Sequence, residues 1–132
     1  MTLRMRPVGV MQLPEILSQR QGRRLFREIK ECMDVDRPRM VLDCSNVRQL
    51  DRSVILLLLC CLEEAMKRTG DVKLAAVPSG AAAILELTGV GRLFDIYDTP
   101  AEAVDSFHHF QTSLIAEMPA LERSQREPNT AA

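Results

Sequence analysis

Apolar positions along this chain fall into two patterns that alternate. Leu25, Phe26, Ile29, Cys32 and Met33 recur at spacings of three and four, forming the apolar stripe of a helix. Ser18 opens that helix, with Gln21 three residues on completing a capping box, and "DVDRP" at 34–38 stops it. Ala103, Phe107, Phe110, Leu114 and Met118 make a second stripe. Thr99 caps it, Pro100 takes the first helical position and Glu102 is the capping-box acid, so the pattern predicts a helix running to Pro119. Between these lie short apolar blocks: "VGVM" at 8–11, "MVLDC" at 40–44, "VKLAAV" at 72–77 and "LFDIY" at 93–97. Each reads as a strand, and "TLRMR" at 2–6 as a weaker first one. Ser79 is placed to cap a short helix, "GAAAILELT", that Gly89 closes.

Strands alternating with helices predict an α/β domain whose later strands are parallel through right-handed crossovers. The expectation is a mixed, mostly parallel sheet of four to five strands with about four helices, the last of them extended. A single domain over 1–122 is followed by a polar tail from Arg123, "RSQREPNTAA", whose composition predicts disorder.

One junction breaks the ordinary pattern. In "NVRQLDRSVILLLLCCLEE", residues 46–64, a polar knot meets nine consecutive apolar residues, Val54 to Leu62. A helix from Ser53 to Thr69, ended by Gly70, is predicted. At about 100° per residue, Ile55, Leu58, Leu59, Leu62, Ala65 and Met66 share the face expected to pack on the sheet. The opposite side carries Leu56, Leu57, Cys60 and Cys61, then Glu63, Glu64, Lys67 and Arg68. The outward surface is therefore apolar only beside Ser53, and such a patch needs a cover, from the C-terminal helix or from a partner. Asp51 or Ser53 serves as the helix cap. A phosphoryl group on Ser53 would be held by free amides and the helix dipole, and would put a charge of about −1.5 to −2 beside the patch.

Composition narrows the function. With 17 Lys+Arg against 18 Asp+Glu there is no general affinity for nucleic acid or acidic membranes, although Arg20, Arg23, Arg24 and Arg27 cluster on what reads as the wet face of a helix. The apolar run would span only about 14 Å as a helix, against a hydrocarbon core of about 30 Å, so no membrane insertion is expected. "MTLRMRPVGVMQ" lacks the apolar stretch of a signal peptide, and a cytoplasmic location follows. Cys32, Cys44, Cys60 and Cys61 have no zinc-ligand spacing and are expected to be buried and reduced. "GVG" at 89–91 completes no phosphate-loop motif, and His108 and His109 have no ligand partners nearby in sequence. No catalytic set, metal site or cofactor is predicted.

"MVLDCSNVRQLDRSVILLLLCCLEEAMKRTGDVKLAAV" resembles the central segment of the STAS domain, the fold of bacterial anti-sigma-factor antagonists, and "ILELTGVGRLFDIYDTPAEAV" is similar to the segment that follows it there. Together they cover about residues 40–107 in the family's order and spacing. The resemblance implies regulation of transcription by protein binding: the antagonist engages an anti-sigma factor with serine kinase activity, which phosphorylates it in turn. It makes Ser53 the phosphoacceptor and Asp51 the motif acid (a cap, or an acid facing the kinase's metal–nucleotide); Arg52 and Val54 beside that serine, with Leu56, Leu57 and Cys60 of the apolar patch, are the expected partner-contacting surface. Arg52 and Val54 depart from the motif, which has a hydroxyl residue and a glycine there. That departure keeps a second reading open, a constitutive STAS adaptor binding other STAS proteins or a transporter ATPase without phosphorylation. The long C-terminal helix can serve self-association as a homodimer.

Overall fold

The four apolar blocks do become strands, all parallel and lying side by side in the order of the sequence. The computed structural model describes residues 8–117, with side chains through residue 108. The expected strand at "TLRMR", the side chains of Phe110 and Leu114, the helix end at Met118 and Pro119, and the tail from Arg123 lie outside the described residues. β1 (Gly9–Gln12) pairs with β2 (Arg39–Asp43) from Gly9↔Met40 to Gln12↔Asp43, and β2 pairs with β3 (Asp71–Ala75) from Arg39↔Asp71 to Asp43↔Ala75. β4 is only Ile96–Tyr97. The expected strand at 93–97 is shortened because Gly89 turns the chain at φ 78° and Val90–Leu93 tighten into a 3₁₀ turn, which tucks Phe94 into the core.

Strand alternation divides the interior between two layers. Met40, Leu42, Val72 and Leu74 face the main core, shared with α1 (Gln19–Cys32), α2 (Arg52–Lys67) and α3 (Ser79–Thr88). Val41 and Ala75 face α4 (Pro100–Glu117), with Ala103 and Phe107 packed on them. Lys73 lies on that second side, 6% exposed. Its Nζ donates to Ser106 Oγ at 2.8 Å and sits 4.2 Å from the Phe107 ring centre and 5.3 Å from that of Tyr97. The buried ammonium is thereby satisfied by one hydroxyl and two π faces, and it pins α4 to the sheet.

The helix starts follow the capping chemistry. Ser18 Oγ accepts from Gln21 N at 3.2 Å while Gln21 Oε1 accepts from Ser18 N at 3.1 Å, a complete capping box. Thr99 Oγ1 accepts from Glu102 N at 3.1 Å. Ser79, expected to cap α3, is instead its first helical residue; Pro78 holds the cap position and makes no side-chain bond.

The phase of α2 differs from the expectation by roughly one residue step, about 100°. Its buried side is Val54, Leu57, Leu58, Cys61, Glu64 and Ala65, while Met66 is 67% exposed and Ile55, Leu59 and Leu62 are half-buried. Two causes combine. α1 lies alongside α2, so part of the side expected to face outward, Leu57 and Cys61, is buried, while Leu56 and Cys60 stay exposed. Glu64, which reads as a wet residue, is 7% exposed because Arg68 folds back on it. Arg68 Nε and Nη2 each stand 3.1 Å from Glu64 Oε2, and Nη1 reaches Asp34 Oδ1 at 3.2 Å.

Candidate functional site

The loop from β2 to α2 is fixed by its own short bonds. Cys44 N donates to Ala75 O at 2.9 Å, Ser45 N to Asp43 Oδ1 at 3.0 Å and Val47 N to Cys44 O at 3.0 Å, while Val47 and Leu50 plug into the core. The chain thus arrives at Asp51 in one orientation. Asp51, extended at φ −92° and ψ −174°, is the cap: its Oδ1 accepts from Val54 N at 3.2 Å and its carbonyl from Ile55 N at 3.0 Å. Of the two candidates for the cap, Asp51 fills the role and Ser53 does not. Ser53 is the second residue of the helix, half-buried, and its hydroxyl makes no hydrogen bond among the described residues.

Ser53 lines a groove of about 260 Å³ between the N-terminal halves of α1 and α2. α2 supplies Ser53, Leu56, Leu57 and Cys60; α1 supplies Gln19, Gly22, Arg23 and Phe26. The lining is apolar at the centre, with Ser53, Gln19 and Arg23 as its polar atoms. Because α1 and α2 each follow a parallel strand, both helices begin at the same end of the sheet. Two helix N-termini, each carrying a partial positive charge, flank the groove.

The expected contact residues divide. Leu56 is 47% exposed, Cys60 is exposed, and Arg52 is exposed with no ion pair among the described residues. Leu57 is 4% exposed and forms the groove floor. Val54 is corrected: at 3% exposure its side chain fills the core and offers a partner nothing. The same burial means that valine, in place of the motif glycine, does not obstruct the approach to Ser53. Cys61, expected on the outward side, is also core. The described part of α4 packs on the opposite face of the sheet and does not cover the groove. The α1 wall was not anticipated. Gly22 inside a helical pattern, one turn before an aromatic residue, was its one signal in the sequence.

The cysteines separate in the same way. Cys44 and Cys61 are buried; Cys32 and Cys60 are exposed, against the expectation that all four are internal. Burial pushes the thiols of Cys44 and Cys61 up to about 12, helped by Asp43 for the first and Cys60 for the second. A folded-state value above the usual 9.0 means that the stability contributed by these thiols is intact below pH 9 and is lost as pH rises toward 12. At neutral pH a maleimide should label Cys32 and Cys60 quickly in the native protein. Cys44 and Cys61 should react only in denaturant, as peptide mapping will show. Native labelling of either buried cysteine at a comparable rate would contradict the packing described.

No helix among the described residues is long and apolar enough to cross a membrane, and no group of three or more His, Cys, Asp or Glu among them is placed to hold a metal ion. A family model described as "Mlab, STAS domain" matches residues 1–95. No curated protein sequence matches the chain. Among solved structures, it is similar to an anti-sigma-factor antagonist (STAS) domain protein from Planctomyces limnophilus, with a TM-score of 0.67 and 18% identity over 75% of this chain and 89% of that one. It is also similar to a putative anti-sigma factor antagonist from Thermotoga maritima, with a TM-score of 0.60 and 17% identity over 79% and 84% of the two chains. The STAS domain of a SulP transporter from Vibrio cholerae aligns at a TM-score of 0.64 and 18% identity, covering 88% of this chain and 89% of that one. At these identities the structural likenesses are likenesses of fold.

Proposed function

The chain belongs to the STAS domain family, and on that premise we propose that it is a regulatory protein-binding domain of the anti-sigma-factor antagonist type, not an enzyme, controlled by phosphorylation of Ser53. One observation carries this reading. Ser53, whose hydroxyl is spared from capping by Asp51, lines the apolar groove together with Leu56, Leu57, Cys60 and Phe26. An unphosphorylated serine leaves that groove free for a partner's apolar side chains. A phosphoserine sets a dianion beside it, stabilised by the first turn of α2, which docking would have to strip of water. The partner is an anti-sigma factor with serine kinase activity, and the setting is the cytoplasm.

The test is direct. Incubation with ATP and the kinase encoded beside its gene should give a single phosphorylated peptide containing Ser53, absent from Ser53→Ala. If an established antagonist is modified in parallel by its own kinase and this serine is not, the switch fails.

A second reading, a constitutive adaptor, is favoured by Arg52, exposed and without an ion pair among the described residues, next to the serine where the motif has a hydroxyl residue. On that reading Arg52 is itself a contact to another STAS protein or to a transporter ATPase. Ser53→Ala and Ser53→Asp would then behave alike in partner capture, whereas the switch separates them.

A further inference from the structure

We propose that the groove between α1 and α2 receives an amphipathic helical segment of a partner protein, its apolar side chains in the groove and its acidic ones against the cations of α1 and Arg52. This deepens the reading of the same face as the partner-binding face and rests on it. The groove, at about 260 Å³, is open and largely apolar, so it can seat side chains delivered by a polypeptide. Lying between two parallel helices, it offers the seat into which a third helix sets a ridge of apolar residues.

The charge around it decides the partner's chemistry. Arg23 lines the groove, and Arg27 and Lys30 follow it on the exposed side of α1 at spacings of four and seven. Arg52 opens α2, at the end of the sheet where α1 also begins, and the exposed acid on the groove-lining wall of α2, Glu63, comes only after Cys60. None of these four cations has an ion pair or hydrogen bond among the described residues. The chain as a whole carries a formal charge of −1, so this rim is a local concentration and not a consequence of composition. Two other occupants fit poorly. Residues 118–132 hold Glu122 and Glu127 against Arg123 and Arg126, with no net charge to offer, and α4 leads into them from the far face of the sheet. A second copy docked face to face would set the arginine row against itself. Phosphorylation of Ser53 acts on the same cations. A phosphoserine draws Arg23 and Arg52 to itself, removing the seats for the partner's acids while its own charge faces them.

Selection of displayed helical peptides of about 16 residues against the intact chain tests this without any kinase, so its outcome is separate from whether Ser53 is ever phosphorylated. The enriched peptides should pair apolar residues at i, i+3, i+4 and i+7 with net negative charge. The best of them, fluorescently labelled, should bind at least tenfold more weakly to Arg23→Glu/Arg27→Glu, roughly the effect of reversing two rim charges. Its amide shift changes should fall on the first halves of α1 and α2. Both substituted side chains are exposed, and an unchanged circular dichroism spectrum confirms the variant's fold. Enrichment of neutral or basic peptides, indifference to the charge reversal, or shifts centred elsewhere would each overturn the proposal. So would a homodimer, seen in sedimentation, that the charge reversal abolishes.

Discussion

Ser53→Asp should weaken partner binding by about 100-fold or more, close to 3 kcal/mol, while Ser53→Ala binds as the parent protein does. The asymmetry follows from where the residue sits. As the second residue of α2, position 53 lies where the helix dipole favours an acid by about 0.3–1 kcal/mol, so the aspartate variant should keep or slightly raise its melting temperature. Loss of binding with an undiminished melting temperature cannot be a folding defect. The cost arises at the groove, where a partner's apolar side chains would have to displace water from a carboxylate that shares the lining with Arg23. Titration calorimetry with the proposed anti-sigma-factor partner measures it. Equal affinity for the alanine and aspartate variants would leave the adaptor reading as the only one standing.

Much of this site is legible in the one-dimensional pattern. The polar knot, the acid two residues before the serine and the surplus of apolar residues after it all point to the start of α2. The capping boxes at Ser18 and Thr99 are local chemistry between residues three apart, and they form as their spacing predicts. What the pattern hides is which way α2 faces. Nine apolar residues in a row carry no phase, so only the polar residues that follow set the helix's outward side, and Glu64 among them misleads. Its burial depends on Arg68, four residues on, and on Asp34, which arrives from the end of α1. Leu57 and Cys61 read as outward for the same reason, whereas Val54 reads as a contact only through its place in the motif, and nothing local to α2 names α1 as the neighbour that walls the groove.

The fold around the far end of α2 yields the second large effect: Gly70→Ala should lower stability by about 3 kcal/mol, shifting the melting temperature down by roughly 10 °C. At first sight Gly70 is the ordinary glycine after a helix, where alanine would be mild. Yet the residue with the left-handed backbone is Thr69, at φ 59°, and Gly70 is needed for a different reason. A Cβ at position 70 would fall on the Pro38 carbonyl and press on the Pro38 ring. That carbonyl is in use, since Asp71 N donates to it at 2.9 Å at the first step of the β2–β3 register. Gly70 N also closes α2 by donating to Ala65 O at 2.8 Å, and Arg37 N, from the turn before β2, donates to Arg68 O at 3.0 Å. One methyl group therefore pushes apart three segments at once: the end of α2, the turn into β2 and the start of β3. Backbone on both sides leaves little room to relax. Because α2 is held at this end by the joint and at the other by Asp51, displacing its C-terminus also tilts the wall that carries Leu56 and Cys60. Partner affinity should fall together with stability in Gly70→Ala, whereas Ser53→Asp separates the two. Thermal melts and calorimetry on both variants distinguish a groove that is charged from one that is misplaced, and a Gly70→Ala protein melting within about 2 °C of the parent would show that the joint yields more easily than its packing implies.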